Sequence, residues 1–290
     1  MNKRLILLIA ACVMAAHMVT GQDSRFVVHF TDKDTANNPF KLDKPEEFLS
    51  DKALERRNKQ GIKIKMNDLP LSPRYIDSIS PLINTIQNRL KWVNGVVANV
   101  DSSKLDSLRS LAMVKSLKYV APAKPRASKK NRKGIQRQDT AMKEQQLSPR
   151  DSSYYGLAWN QIQMLGGQWL HQENYRGQNM TIALFDGGYS NVNKLPLFDS
   201  IRINRQILGI KDFEEHDKQV YTQHSHGTMV LSAIAGNRPG VYVGTAPKAN
   251  FWLFRTEVGG SEYLVEEYNW LAAARSEERR VGKECIVKCR

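Results

Sequence analysis

Hydrophobic and polar positions divide the chain into two stretches of different texture. Up to about residue 122, short apolar runs alternate with amphipathic segments that carry their apolar residues on one side. The elements that this pattern predicts are, in chain order, a strand at Phe26–Phe30, helices at Pro45–Gln60 and Pro73–Ile79, a hairpin over Trp92–Val100 centred on Asn94 and Gly95, a helix at Ser103–Leu111 and a strand at Val114–Val120. Strands and helices in this order predict a small α+β domain over residues 22–122.

From Tyr154 onward, buried-type strands alternate with helices. The predicted elements are a helix at Trp159–Leu170, a strand at Met180–Phe185, a helix at His226–Ala235, a strand at Ala249–Phe254 and a helix at Tyr263–Ala274. Continuous apolar strands separated by helices are typical of a parallel sheet that is covered by helices on both faces. Residues 154–274 are therefore predicted to form an α/β domain.

The first residues have the pattern of a secretory signal peptide. Two basic residues precede the apolar stretch Leu5–Val19, which is too short to span a membrane comfortably, and small residues follow it before Gln22. Residues 1–21 are expected to direct export to the periplasm or the cell exterior and then to be removed, leaving no membrane attachment. A lipoprotein signal with Cys12 in a lipobox is the alternative.

The net charge of +14 raises the question of a nucleic-acid partner. Most of that charge lies in two short segments, because residues 123–150 carry nine Lys and Arg against two Asp and Glu, and residues 275–290 carry six against three. Neither segment contains an aromatic residue on which a base could stack. The charge therefore belongs to a linker, predicted at residues 123–153, and to a tail, and no nucleic-acid partner is expected.

The tail at residues 275–290 breaks the apolar helix pattern abruptly after Ala274. Its sequence is what a common short-read sequencing adapter encodes when it is translated in frame. We therefore expect residues 275–290 to be an assembly artefact, with the coding sequence of the gene continuing beyond Ala274. Cys285 and Cys289 lie within this tail, so they are not interpreted as a metal or redox motif, and no disulfide is predicted.

Two short motifs place acid–base residues at the ends of apolar elements. Asp186, followed by two glycines, comes directly after an apolar strand, at the edge where open α/β sheets build their sites. His226 opens an apolar helix ahead of Gly227, whose small size lets the helix start pack closely. Taken singly, each motif has an ordinary explanation, namely a turn aspartate and an N-terminal helix histidine without a role.

A metal site is a further interpretation of the histidines. His224 and His226 could act as ligands together with His216 or Asp217. This interpretation is less favoured, since a helix that begins at His226 separates the two rings.

Together, the two motifs resemble those of the subtilisin-like serine proteases, or subtilases. In that family a strand-Asp-[Ser/Gly]-Gly motif precedes a His-Gly-Thr-x-Val motif, here at residues 226–230. A third matching element is Val243–Ala249, which is followed by the strand Phe251–Phe254. The resemblance covers residues 154–274, and the preceding domain matches the family's propeptide by its layout. Sequences of this kind are typical of secreted peptidases of Bacteroidota.

The resemblance implies a subtilisin-like parallel sheet, incomplete in this chain, and a secreted serine endopeptidase. It makes His226 the general base and Asp186 the residue that orients it. The nucleophilic serine and the oxyanion-hole asparagine of the family are absent from the chain, because Ser232, Ser261 and Ser276 lie in no Gly-Thr-Ser segment. This fragment is therefore expected to be inactive, while the whole protein is expected to cleave proteins or peptides and to bind its own propeptide.

The sequence shows no evident cofactor or metal motif, and any calcium sites would lie in the rest of the protein. A non-catalytic pseudo-protease or binding module that kept Asp186 and His226 is the main alternative function. A metal-dependent hydrolase using His224 and His226 is the other.

Overall fold

The computed structural model describes residues 23–123, 148–216, 219–259, 262–278 and 284–288. The predicted signal peptide, most of the predicted linker and the remainder of the tail lie outside these ranges, as does Asp217. Within the described ranges, no helix is both long and apolar enough to cross a membrane.

The first domain is built on a four-stranded antiparallel sheet with the strand order β2-β3-β1-β4. Its strands are β1 (Ser24–Phe30), β2 (Thr85–Leu90), β3 (Gly95–Val100) and β4 (Val114–Pro122). Successive side chains point to opposite faces of the sheet. Val28 and Phe30 point to one face and pack on the domain's own helices, whereas Val27 points to the other face and packs in the cluster shared with the second domain.

The helices of the first domain are α1 (Asp51–Lys59), α2 (Pro73–Ile79) and α3 (Leu105–Arg109). The predicted helix at Pro45–Gln60 is wrong in its first part, since Pro45–Glu47 forms a separate 3₁₀ turn. α1 begins only at Asp51 because Ser50 has an extended backbone and its side chain accepts a hydrogen bond from the amide of Ala53. A serine in this position caps the helix and fixes its start.

The predicted hairpin is present, but its first strand lies earlier than expected. β2 ends at Leu90, and Lys91–Val93 forms a 3₁₀ turn before β3. Asn94 adopts the left-handed conformation with φ 53°, which asparagine tolerates better than most residues. Gly95 is required because a Cβ atom there would lie 2.5 Å from the carbonyl oxygen of Val28.

The second domain contains a four-stranded parallel sheet with the order β10-β5-β9-β6. Its strands are β5 (Thr181–Asp186), β6 (Ile207–Asp212), β9 (Asn250–Arg255) and β10 (Glu284–Lys288), and a small antiparallel pair is formed by β7 (Asn237–Arg238) and β8 (Tyr242–Val243). The helices are α4 (Ser152–Tyr155), α5 (Trp159–Met164), α6 (Gly167–Gln172), α7 (Asp199–Ile203), α8 (His226–Ala235) and α9 (Val265–Glu278).

Helices cover both faces of this parallel sheet, as predicted. Leu231 of α8 and Ile201 of α7 pack with Leu184 and Phe251 on one face. On the other face, α9 packs against Phe185 and Phe254. The α/β class is therefore confirmed, and the structure places an α+β domain before it.

Two details of the second domain differ from the sequence prediction. The predicted helix at Trp159–Leu170 is divided into α5 and α6 by Gly166, which has a left-handed φ of 67°. β6 was not predicted, because it lies at a sheet edge, is only partly buried and lacks a continuous apolar run. α9 extends to Glu278, past the predicted end at Ala274, but this does not test the origin of residues 275–290, which stays a prediction.

A shared core joins the two domains. α9 lies between the sheets, with Phe185 of the parallel sheet and Val27 and Val97 of the antiparallel sheet in the same apolar cluster. Ala272, Ala273 and Ala274 belong to this cluster as well. Their small side chains let the helix backbone approach its neighbours closely, so the two domains are packed into one body around this helix.

Candidate active site

Asp186 is the last residue of β5 and lies at the carboxyl edge of the parallel sheet. Its register partner in β9 is Arg255, and its carbonyl oxygen accepts a 2.9 Å hydrogen bond from the amide of Thr256. The chain then turns through Gly188, which has a φ of 152°. A Cβ atom at Gly188 would lie 2.7 Å from the backbone nitrogen of His224, so this turn requires glycine.

His226 is the first residue of α8, and the helix start is pressed against the Asp186 turn. A Cβ atom on Gly227 would lie 2.6 Å from the carbonyl oxygen of Gly188 and 2.9 Å from the Cβ of Asp186. The hydroxyl of Thr228 donates a 2.8 Å hydrogen bond to the carbonyl oxygen of Ser190. These contacts give the His-Gly-Thr segment a physical basis, because glycine allows the close approach and threonine anchors it.

The structure brings Asp186 and His226 together, although 40 positions separate them in the sequence. The Nδ1 atom of His226 lies 2.8 Å from the Oδ2 atom of Asp186. The Asp186 side chain is only 2% exposed, while that of His226 is 36% exposed. A neutral histidine that donates its Nδ1–H to a buried carboxylate keeps Nε2 unprotonated, which is the arrangement of a general base.

The electrostatic environment of Asp186 combines burial with hydrogen bonding. Burial raises the pKa of Asp186 above its ordinary value, and the hydrogen bond and charge of His226 together with the amides of Gly187 and Gly227 oppose that rise. The amide of Gly187 donates to Oδ1 over 2.7 Å. Both carboxylate oxygens therefore have partners, which fixes the carboxylate plane toward the imidazole.

A buried ion cluster supports the turn from behind, and the sequence prediction did not include it. Arg255, which is 4% exposed, donates from Nε to the carbonyl oxygen of Gly187 over 3.2 Å. Its Nη1 atom lies 2.8 Å from Oδ2 of Asp212, and Nη2 donates to Glu215 over 3.3 Å. The signal was present in the sequence, since Arg255 directly follows an apolar strand, as Asp186 does.

A cleft of about 580 Å³ opens beside the pair. His224 and His226 line one side of it, and the residues after β9 and the start of α9 line the other. Its carboxylates are Glu257, Glu262, Glu266 and Glu267. Burial raises the pKa of Glu266, whose carboxylate accepts a 3.0 Å hydrogen bond from the amide of Val258. The cleft is thus strongly acidic next to the histidine.

The other residues considered from the sequence have different surroundings. His224 lines the same cleft, and its Nδ1 atom accepts a 3.3 Å hydrogen bond from the amide of His226. Within the described residues, no group of three His, Cys, Asp or Glu side chains is arranged to hold a metal ion. The hydroxyl of Ser232 donates to the carbonyl oxygen of Met229 within α8. Ser261 and the Ser276 side chain lie outside the described part of the chain.

Comparison with known protein families finds a match for the first domain. Residues 25–140 match the family described as peptidase S8 propeptide domain of Bacteroidota. The match ends beyond residue 122, within the predicted linker. No curated protein matches the chain in sequence.

Solved structures of two bacterial proteases resemble the chain at low identity. The epidermin leader peptide processing serine protease of Staphylococcus aureus, determined as a serine-to-alanine mutant, has a TM-score of 0.42 and 11% identity, with 91% of this chain and 50% of that one covered. Fervidolysin from Fervidobacterium pennivorans, a keratinolytic enzyme related to subtilisin, has a TM-score of 0.42 and 15% identity, with 90% of this chain and 35% of that one covered. The chain spans half or less of the length of these structures.

The N-terminal domain is therefore a propeptide domain of a peptidase. More particularly, it is a propeptide of peptidase S8, the subtilisin-like family, in its Bacteroidota form. This match supports the interpretation of the chain as part of a subtilase precursor.

Proposed function

We propose that the whole protein is a secreted, subtilisin-like serine endopeptidase. In this proposal, the present chain supplies the propeptide and two members of the catalytic triad, Asp186 and His226. The observation that carries the proposal is the 2.8 Å contact between His226 Nδ1 and the buried Asp186 carboxylate at the carboxyl edge of a parallel sheet. The peptidase S8 propeptide at residues 25–140 supports it independently.

The mechanism follows from the protonation states that this geometry favours. Nε2 of His226 takes the proton of a serine hydroxyl as the serine oxygen attacks the scissile carbonyl carbon. The π electrons of the C=O bond move to the carbonyl oxygen, which becomes the oxyanion of a tetrahedral intermediate. The tetrahedral intermediate collapses when His226 returns the proton to the leaving amine, and water repeats the two steps on the acyl-enzyme. Asp186 holds the tautomer and stabilises the imidazolium. The serine and the oxyanion-hole donor come from sequence beyond this chain.

The proposal includes a maturation pathway. Residues 1–21 direct export, cleavage in the basic segment 123–153 then breaks the covalent link between the two domains, and residues 22–122 stay packed against α9 as the bound propeptide. Substrates are extracellular proteins or peptides. A non-catalytic binding module with the same Asp186–His226 pair is the alternative, and the presence of a Gly-Thr-Ser segment downstream distinguishes the two.

The first test is the gene itself. A genomic read across the codons of residues 270–290 is expected to depart from the present sequence after Ala274 and to continue into a Gly-Thr-Ser segment. A read that retains the codons of residues 275–290 and then stops would contradict two hypotheses: that these residues are an assembly artefact, and that the gene encodes a complete Asp-His-Ser triad.

The second test is chemical and uses the protein encoded by the complete gene. A fluorophosphonate probe is expected to label it covalently, and His226→Ala or Asp186→Asn is expected to slow labelling on the order of 10³-fold or more. Asp199→Asn is the matched control, because Asp199 is an exposed aspartate of the same domain that pairs with Arg202. Labelling that survives His226→Ala, or tight stoichiometric zinc that is lost in His224→Ala, would reject the serine mechanism.

A further inference from the structure

Arg25, in β1 of the propeptide domain, is a buried cation whose main partner belongs to the other domain. Its Nη1 atom lies 2.8 Å from Oε1 of Glu214, and both side chains are at most 2% exposed. Its Nε atom donates to the carbonyl oxygen of Pro122 over 3.1 Å. Removing two charges from water is costly unless their geometry is good and their other polar atoms are satisfied. The surroundings of Glu214 therefore decide what this pair does.

The second oxygen of Glu214 is held by an amide pair that also crosses the interface. Nδ2 of Asn269, in α9, donates to Oε2 of Glu214 over 2.7 Å. Oδ1 of Asn269 accepts a 2.8 Å hydrogen bond from Asn88 of β2, which also donates to the carbonyl oxygen of Phe213 over 3.1 Å. Two buried polar side chains from each domain thus form one hydrogen-bonded group beside the apolar cluster that the domains share.

One route leads from this group to the catalytic aspartate through the ion cluster. The amide of Glu214 donates to Oδ1 of Asp212 over 2.7 Å, and Oδ2 of Asp212 lies 2.8 Å from Nη1 of Arg255. Arg255 in turn donates to the carbonyl oxygen of Gly187, the residue whose amide is bonded to Asp186. Each step is a direct hydrogen bond between buried groups.

A second route runs through α9. Nδ2 of Asn269 also donates to the carbonyl oxygen of Thr256 over 3.1 Å. The amide of Thr256 donates to the carbonyl oxygen of Asp186 over 2.9 Å. The position of Asn269 is therefore tied to Glu214 on one side and to the catalytic strand end on the other.

We infer that Arg25 is a positioning residue, supplied by the propeptide domain, that fixes the Asp186–Gly187 turn by neutralising Glu214. With Arg25 in place, Glu214 stays buried and holds both routes in the geometry described. Without it, the buried Glu214 carboxylate loses the charge of Arg25, and hydration of Glu214 moves Phe213 and Asn269 away from their partners. The inference rests on the proposed function only for the catalytic roles of Asp186 and His226. The coupling between the Arg25–Glu214 pair and the Asp186–Gly187 turn is a property of this chain.

The structure offers a matched control for this inference. Arg57 and Asp68 form a second buried pair, with two hydrogen bonds of 3.0 and 2.8 Å, entirely inside the propeptide domain. Loss of that pair perturbs the same domain by the same chemistry. In the inference, it leaves the Asp186 turn undisturbed.

The experiment uses the 290-residue chain and measures hydrogen exchange of the Gly187 amide and the proton signal of His226 Nδ1–H, which lies 2.8 Å from Asp186 and is assigned by its absence in His226→Asn. Arg25→Met is expected to accelerate Gly187 exchange at least tenfold and to shift the His226 Nδ1–H signal. Arg25→Lys, which keeps the charge, is expected to restore much of both. Arg57→Met is expected to leave both at their original values.

A double variant guards against simple unfolding. Arg25→Met combined with Glu214→Gln removes both charges, so Gly187 exchange is expected to return to within about threefold of the unmodified chain. Equal effects of Arg25→Met and Arg57→Met, or no rescue in the double variant, would overturn the inference. Failure of fluorophosphonate labelling would instead reject the protease and leave this coupling standing, so the two outcomes are separable.

Discussion

The two sheets of this protein differ in where they keep their buried polar groups. In the parallel sheet, β5, β6 and β9 each end in a buried charged residue, namely Asp186, Asp212 and Arg255. In the antiparallel sheet, Arg25 and Asn88 are buried near the interface with the second domain, and neither ends its strand. Parallel strands bring all their carboxyl ends to one edge, whereas antiparallel strands alternate their ends between the two edges.

This difference explains why the second domain gathers charged groups at one edge, while the first domain presents a broad apolar face. Three converging strand ends place Arg255 within hydrogen-bonding distance of Asp212, and Asp186 within hydrogen-bonding distance of His226 at the helix start. An antiparallel sheet offers a broad face instead, with Val27 and Val97 on the side that meets α9. The apolar face of the propeptide domain is therefore suited to cover the second domain. The contrast between this face and the charged strand ends predicts different effects of substitutions in the two domains.

The largest expected effect comes from the core that the two sheets share. Phe254 is fully buried, with aromatic contacts to Phe185, Phe213 and Trp252. Phe254→Ala is expected to lower the free energy of unfolding by about 3–5 kcal/mol, because it leaves a cavity where both domains meet. Urea denaturation followed by tryptophan fluorescence measures it.

The matching control lies in the core that only the first domain uses. Ile79 is buried there, and Ile79→Val is expected to cost about 0.5–1.5 kcal/mol. If Phe254→Ala costs no more than Ile79→Val, then Phe254 does not join the two domains in the way described.

An intermediate effect is expected where the helix start meets the strand end. Gly227→Ala forces a Cβ atom to within 2.6 Å of the Gly188 carbonyl oxygen, so it is expected to cost about 1–3 kcal/mol and to weaken the Asp186–His226 hydrogen bond. Gly187→Ala is the control, since its nearest neighbour would be the His224 Cβ at 3.5 Å. Denaturation and the His226 Nδ1–H proton signal report both effects, and equal losses in the two variants would contradict the steric argument.

The smallest expected effect is a difference between the two domains in how stability depends on pH. The contributions of Asp186 in the second domain and Asp101 in the first are expected to change with pH in opposite directions. The folded pKa of Asp186 is raised above 3.8 by burial, so its contribution to stability is fully present below about pH 3.8 and is lost as the pH rises through the raised value. The folded pKa of Asp101, before α3, is lowered by hydrogen bonds from Ser103, so its contribution is present above 3.8 and is lost as the pH falls.

The measurement compares Asp186→Asn and Asp101→Asn at pH 3 and pH 7. Relative to the unmodified chain, Asp186→Asn is expected to be less destabilising at pH 7 than at pH 3, and Asp101→Asn more destabilising at pH 7 than at pH 3. Parallel trends in the two variants would show that burial does not dominate at Asp186.

The residues that could be predicted from the sequence are those with a strong local signal. The predicted helix at His226–Ala235 is confirmed as α8, because a largely apolar segment there ends at Gly236. β6 was missed because an edge strand with half-buried positions has no such run. The candidate pair of Asp186 and His226 followed from the order of the two motifs, since each motif alone has an ordinary explanation.

Long-range partners could not be predicted, because nothing local encodes them. Arg25 and Glu214 are 189 positions apart, and a single arginine in a predicted strand gives no sign that it will be buried against the other domain. The same holds for Asn88 and Asn269, which are 181 positions apart. Arg255 is the exception, because its place at the end of an apolar strand follows the same rule as Asp186.

The helix α9 has a consequence for the order in which this protein acquires its structure. It forms part of both hydrophobic faces, yet it comes after every strand of the propeptide sheet and after β5, β6 and β9 along the chain. A chain that emerges N-terminus first can pair those strands early, but the two sheets gain their common partner only when residues 265–274 become available. Contacts such as that of Asn88 with Asn269 in this helix join residues 181 positions apart, and closing them is slow. Union of the domains is therefore expected to be the last and rate-limiting step of folding.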